Sequence, residues 1–273
     1  MAARVERDSA SSRLGALWGH RRVLQLLAFR DFKVKYADSA IGYVWSILEP
    51  LLMAGIYWFV FTQLMTRRLG EEPYIVFLLC GLLPWQWANG VVRGSMRAFN
   101  KDSKLMRSTS LAREIWVLRT VLSRFMDFAF SLPVLAVFAI LNDATPSWQL
   151  VFVPVAVVLQ AVMLTGLALL LAPLAVLFSD IERVVRLVMR LMFFLSPVVY
   201  GLHDVERRLG GVVAGLYVLN PIAGIIDLYR TSFFPGDWSG WVPLGTSAAA
   251  AAFLLLLGSA VFRRLEPIIL KEI

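Results

Sequence analysis

Two pairs of opposite charges, two distant histidines, one cysteine and one basic loop carry most of the chemical potential of this 273-residue chain. Arg124 and Asp127 stand three residues apart, as do Asp227 and Arg230, so on a helix each pair shares a face and can form an ion pair. His20 and His203 are far apart and neither has a metal-ligand spacing, so no metal site is expected. Cys80 lies alone inside an apolar run, which excludes an intrachain disulfide. No stretch matches G-x-x-x-x-G-K-[ST], the loop whose amides cradle nucleotide phosphates. The acids are isolated rather than convergent, which argues against bond-making chemistry. What remains is the run RGSMRAFNKDSKLMRSTSLAREIWVLR, residues 93–119, polar and basic between two of the most apolar stretches of the chain.

The elements that must position these residues follow from composition. Apolar residues make up 59% of the chain and charged residues 17%, with a mean hydropathy of +0.69; soluble domains are nearer a quarter charged. So few polar residues could not cover so much apolar surface in water. The expected fold is an all-α membrane protein forming one domain over residues 1–273. Six stretches are long enough to span, at about 41–65, 74–92, 116–141, 148–178, 186–202 and 242–262. The fourth can tilt or break at Pro173, and Pro197 bends the end of the fifth.

Lysine and arginine set the orientation. With six spans, twenty-one fall on the side of the N-terminal 40 residues, the 93–119 loop, the loop holding Arg183, Arg186 and Arg190, and the tail from residue 263. Five, namely Arg67, Arg68, Arg207, Arg208 and Arg230, fall on the other. That asymmetry places both termini in the cytoplasm. It also explains the net charge of +8 without nucleic acid, whose binding needs one basic face with stacking aromatics. The first 20 residues lack the apolar region of a signal peptide. Leu17, Trp18, Val23, Leu24, Leu27, Ala28 and Val34 alternate with basic residues as in an amphipathic helix lying at the membrane interface. Residues 203–241 are apolar but broken at Asn220–Pro221, which fits two short re-entrant helices between spans five and six better than further spans.

FRDFKVKYADSAIGYVWSILEPLL, FLLCGLLPWQW, NKDSKLMRSTSLAREI, LNPIAGIIDLYR and FRRLEP occur in that order. Together they make the chain resemble the transmembrane permease subunit of ABC-2 type polysaccharide exporters, over about Leu26 to Pro267. The resemblance implies a homodimer in the bacterial inner membrane with a channel between the copies for a lipid-linked polysaccharide. It also implies two copies of a separate ABC ATPase, which would hold the ATP and Mg, leaving this chain without a cofactor and without enzymatic activity. In the family, the loop between spans two and three is the coupling helix that docks into the ATPase. Carried onto this sequence, that role falls on Lys101, Lys104, Leu105, Met106, Arg107, Ser110, Leu111 and Arg113. The residues alone allow a second reading, a basic loop that only fixes topology.

Sugar rings are commonly met by flat aromatic faces. Tyr57 and Phe61 share a helical face with Trp58 beside it, and Trp85 and Trp87 flank Pro84 on span two. All five are candidate channel contacts, although Trp and Tyr also gather at membrane interfaces whatever the protein does. Glu49 is an acid at membrane depth, where the family often carries glutamine. The family has its outer channel mouth between spans five and six, which makes Asp227 and Arg230 the candidate ion pair there. The alternatives are an ABC-2 permease for a drug or small lipid, which would share the fold, and a membrane-embedded scaffold or glycolipid enzyme.

Overall fold

The computed structural model describes residues 15, 18–37, 42–64, 70–109 and 111–272. Every regular element among them is helical. In chain order these are α1 (Arg21–Ala37), α2 (Trp45–Trp58), α3 (Tyr74–Ser95), the short α4 (Ala98–Lys101) and α5 (Ser103–Arg107), and α6 (Glu114–Leu141). Then follow α7 (Val153–Leu177), α8 (Ile181–Leu195), α9 (Leu202–Leu209), α10 (Gly211–Val218), α11 (Ala223–Thr231) and α12 (Trp241–Glu272). A 3-10 turn and a wide π turn extend α2 at its two ends.

Five of these are long and apolar enough to cross a membrane: Gly42–Gln63, Tyr74–Ser95, Glu114–Leu141, Trp148–Leu177 and Trp241–Ile269. They correspond to expected spans one, two, three, four and six. The fourth runs through Pro173 without breaking; the freed carbonyl lies in the last two turns, where one lost bond is tolerated.

The expected fifth span takes another form. Only Ile181–Leu195 is helical, 15 residues or about 22 Å at 1.5 Å per residue. Pro197 cannot donate to the ladder, and the chain continues without regular helix to Tyr200. Residues 181–200 nevertheless run antiparallel along the whole of α3. At one end Arg97, just past α3, meets Glu182 at 2.6 Å. At the other the Tyr74 hydroxyl donates to the Val199 carbonyl at 2.9 Å.

α3 is the central element. Of its most apolar stretch 78% is buried, against 12% for the first of the five, and Tyr74–Trp85 is apolar on all sides, as an enclosed helix must be. Phe77, Leu78, Leu79, Leu83 and Val91 anchor the core around it. α7 and α12 pack backbone to backbone: a Cβ on Gly166 would strike the Leu254–Leu255 backbone, and one on Gly258 the Gly166 carbonyl. Small residues allow this approach where water supplies no hydrophobic drive.

α1 is helical from Arg21 onward, where an amphipathic interface helix was expected, and Leu17 lies outside the described residues. Ala28 and Phe32, four apart, are buried, and Phe32 stacks on Phe130 of α6 at 5.2 Å. Leu26, Phe29 and Val34 remain exposed.

Candidate functional site: a charged vestibule, an adjoining loop and a capped broken helix

A cavity of about 580 Å³ opens between α1, α2, α3, α6 and α8. Its walls combine two chemistries. Tyr57, Trp85 and Phe193 form an aromatic part, with Tyr57 and Trp85 each 5.6 Å from the Phe193 ring. Lys35, Arg93, Arg124, Arg186 and Arg190 supply five cations against two acids, Glu49 and Asp127. The spacing of Arg186, Met189, Arg190 and Phe193 puts them on one face of α8, cations towards its start and the ring towards its end. Gln86 and Asn89 of α3 add amide groups. Such a lining can stack a flat ring, hydrogen-bond hydroxyls and attract an anion.

The sequence-expected aromatics divide. Tyr57, Trp85 and Trp87 lie on the cavity wall, whereas Trp58 and Phe61 lie off it. Trp58 is 40% exposed on the outside of α2 and Phe61 packs between Tyr57 and Tyr74. Trp85 and Trp87 are almost fully buried, and Trp87 stacks on Phe128 at 5.2 Å, so packing accounts for most of their surface. The expected Arg124–Asp127 pair forms at 3.1 Å, and Lys35 joins it at 2.9 Å from Asp127. Burial lowers the Lys35 pKa, with the Asp127 carboxylate pulling the other way. Sequence reasoning treated Arg93, Arg186 and Arg190 as orientation signals alone. The i, i+4 repeat of Arg186 and Arg190 leading to Phe193 was the available sign of a shared face.

The loop after α3 folds as two short helices, α4 and α5, with Lys101 in the first and Lys104 in the second. Ser110 lies outside the described residues. The apolar residues expected to project from the loop are mostly used internally. Met106 is 3% exposed and Leu111 packs against the core, while Arg113 donates to the Met106 carbonyl at 2.6 Å. A short helix cannot bury its own apolar side chains, so they turn onto the α3–α6 core. Among the described side chains of the two short helices, Leu105 and Arg107 face outward, and Ser108 follows them.

Beyond α8, helices α10 and α11 flank Asn220–Pro221 as expected, and α9 is additional. The expected Asp227–Arg230 pair is replaced by other partners. Asp227 accepts from the Ser239 amide and hydroxyl at 3.1 and 3.0 Å. Arg230, 2% exposed, donates to the Tyr200 and Val198 carbonyls, both at 2.8 Å, and lies 3.7 Å over the Phe77 ring. Asn220 donates to the Leu195 carbonyl and to Ser196 at 3.1 and 2.9 Å. Both residues therefore satisfy backbone and hydroxyl groups at the broken end of α8, a need invisible to the i, i+3 rule. Gly81 completes the junction, since a Cβ there would strike the Val198 carbonyl. Among the described residues no three His, Cys, Asp or Glu come together to hold a metal.

A family model described as ABC-2 type transporter matches residues 22–234. An O-antigen export system permease protein of Klebsiella pneumoniae is 29% identical over 245 residues, covering 89% of this chain and 92% of the relative. A protein of the same description from Myxococcus xanthus is 28% identical, covering 90% and 93%. A polysialic acid transport protein of Escherichia coli is 21% identical, covering 91% and 95%.

Proposed function

Because the chain belongs to the ABC-2 type transporter family, we propose that it is the channel-forming permease subunit of an ATP-driven exporter that moves a lipid-linked polysaccharide outward across the bacterial inner membrane. The observation that carries this reading is the near full-length match to relatives named for O-antigen and polysialic acid export. The aromatic and cationic cavity is a surface of the chemistry such a cargo needs.

The chain then acts as one of two identical copies with the channel between them, and two ABC ATPase subunits on the cytoplasmic face bind ATP and Mg and supply the energy. It crosses the membrane six times, with residues 181–200 as a fifth, partly helical crossing. That reading rests on their course along the full length of α3, about 33 Å, and on the arginine and lysine asymmetry, which an odd number of crossings would scramble. Both termini are cytoplasmic. α10 and α11, eight and nine residues long, are too short to cross and dip into the outer leaflet as the channel mouth.

The chain makes and breaks no bond in the glycan. ATP binding in the partner shifts the 98–113 loop, and the dimer channel responds through the different affinities of that loop for the partner's states. Leu105 and Arg107 are its outward-facing contacts. The test is co-purification from the native host in mild detergent. The wild-type chain brings a stoichiometric ATPase, and Leu105→Asp with Arg107→Glu lowers its recovery about tenfold or more, the scale of losing one anchor residue. An undiminished ATPase yield in a folded double variant contradicts the assignment.

A further inference from the structure

Arg119 stands in the second turn of α6 with its side chain 1% exposed. Its Nη2 lies 2.6 Å from a carboxylate oxygen of Asp102, and its Nε 3.5 Å from one of Asp31. Its guanidinium carbon rests 4.9 Å from the Trp116 ring centre. Asp102 occupies the joint between α4 and α5, and Asp31 belongs to α1. Arg30 closes the group from the more exposed side, with Nη2 3.1 Å from Asp102 and 3.4 Å from Asp31. Among the described side chains, two guanidinium groups thus face two carboxylates, and three segments distant in sequence meet at one charged cluster.

A second contact continues the line. Lys35, one turn along α1 from Asp31, reaches Asp127, and both line the cavity. Charged contacts therefore lead from the joint of the loop to α1 and from α1 to the cavity wall.

Buried ion pairs add little net stability compared with apolar packing, yet removing one partner is costly because the other charge is left uncompensated. The cluster is consequently weak glue and a strong constraint. If Asp102 moves, Arg119 cannot stay behind unpaired, and Asp31 with α1 must adjust in turn. We propose that Arg119 is a positioning residue: through Asp102 and Asp31 it makes α1 follow the loop, and α1 carries that displacement to the vestibule through Lys35 and Asp127. The proposal deepens the functional reading above and rests on it for the loop's contact with the ATPase. The tie between loop and α1 stands on the geometry alone.

Two measurements test it. The first uses the full-length chain alone in lipid nanodiscs and reads amide hydrogen exchange. Asp102→Asn, nearly isosteric and at a partly accessible site, is expected to speed exchange across Arg21–Ala37 at least tenfold while leaving Trp241–Glu272 unchanged. Unchanged exchange in α1, or a uniform rise over both helices, overturns the tie. The second uses the reconstituted exporter with its ATPase and native glycan. Arg119→Gln raises the ATP consumed per glycan exported at least tenfold, and Arg119→Lys recovers part of the loss. A parallel fall in hydrolysis and export, at an unchanged ratio, overturns the transmission role. Should Arg119→Gln fail to accumulate, Arg30→Gln, at the exposed edge of the cluster, is read in the same assay with a smaller rise expected and an unchanged ratio decisive against. If the wild-type chain itself neither binds an ATPase nor exports, the functional reading fails, and the exchange measurement still decides the tie.

Discussion

Arg230→Met is expected to destabilise the protein by about 2–5 kcal/mol, the cost of leaving two backbone carbonyls without their donor. α8 ends at Leu195, and the chain from Ser196 to Tyr200 has no helical ladder to satisfy its carbonyls. The Arg230 fork serves two of them, Val198 and Tyr200, at 2.8 Å each. Each buried carbonyl left without a donor costs about 1–3 kcal/mol. Methionine does relieve the cost of burying a cation, which works in the opposite direction. That relief is offset because Asp227 and Asp237, 5% and 4% exposed, lie near the guanidinium and lose its field. Arg230→Lys, a point charge on a flexible stem, can reach one carbonyl but not hold both, and should fall between the two. Thermal unfolding in nanodiscs reads the order wild type, Lys, Met. A methionine variant melting within a degree or two of wild type would refute the capping role.

Gly258→Leu is expected to cost about 3 kcal/mol or more, as overpacking against an unyielding neighbour does. Its first added carbon already overlaps the carbonyl of Gly166 on α7. Even Gly258→Ala should destabilise, although alanine gains about 1 kcal/mol of helix propensity over glycine. The clash wins because the obstacle is backbone, and relief requires α7 and α12 to separate along their whole contact. Gly245, on the same helix, has nothing within 4 Å of an added Cβ. There the propensity gain is unopposed, and Gly245→Ala should stabilise slightly. Opposite signs for the same substitution on one helix are the expected result in a thermal melt; a stabilising Gly258→Ala would remove the close-packing account.

Hydropathy alone located four membrane-length apolar helices within a few residues at most ends, because a 20-residue apolar run has few other solutions in a chain this poor in charge. The stretch expected at 242–262 is helical but runs on to Glu272, past Arg263, Arg264 and Glu266. The stretch expected as a fifth span was only half legible. Pro197 announced a disturbance, but the groups repairing it, Asn220 and Arg230, lie more than twenty residues away, and sequence spacing carries no sign of such contacts. Asp227 and Arg230 show the same limit from the other side: being three apart allows a pair, while the carbonyls of Val198 and Tyr200 and the Ser239 amide offer partners that no local rule weighs. Arg119 was legible only as one more positive charge in a basic loop, since its two aspartates come from α1 and from the α4–α5 joint. Within the candidate vestibule, Tyr57 was found by helical spacing, whereas the cationic wall was hidden because the positive-inside effect explains the same arginines without a site.

Depletion in the native host tests most directly whether this chain exports a glycan. With the chain depleted, envelope glycan should accumulate on a lipid carrier inside the inner membrane, inaccessible to an impermeant label added to spheroplasts. Its surface counterpart should fall as the chain disappears and return on re-expression. Surface glycan that persists undiminished, with no labelled or protected intermediate building up, would contradict the assignment.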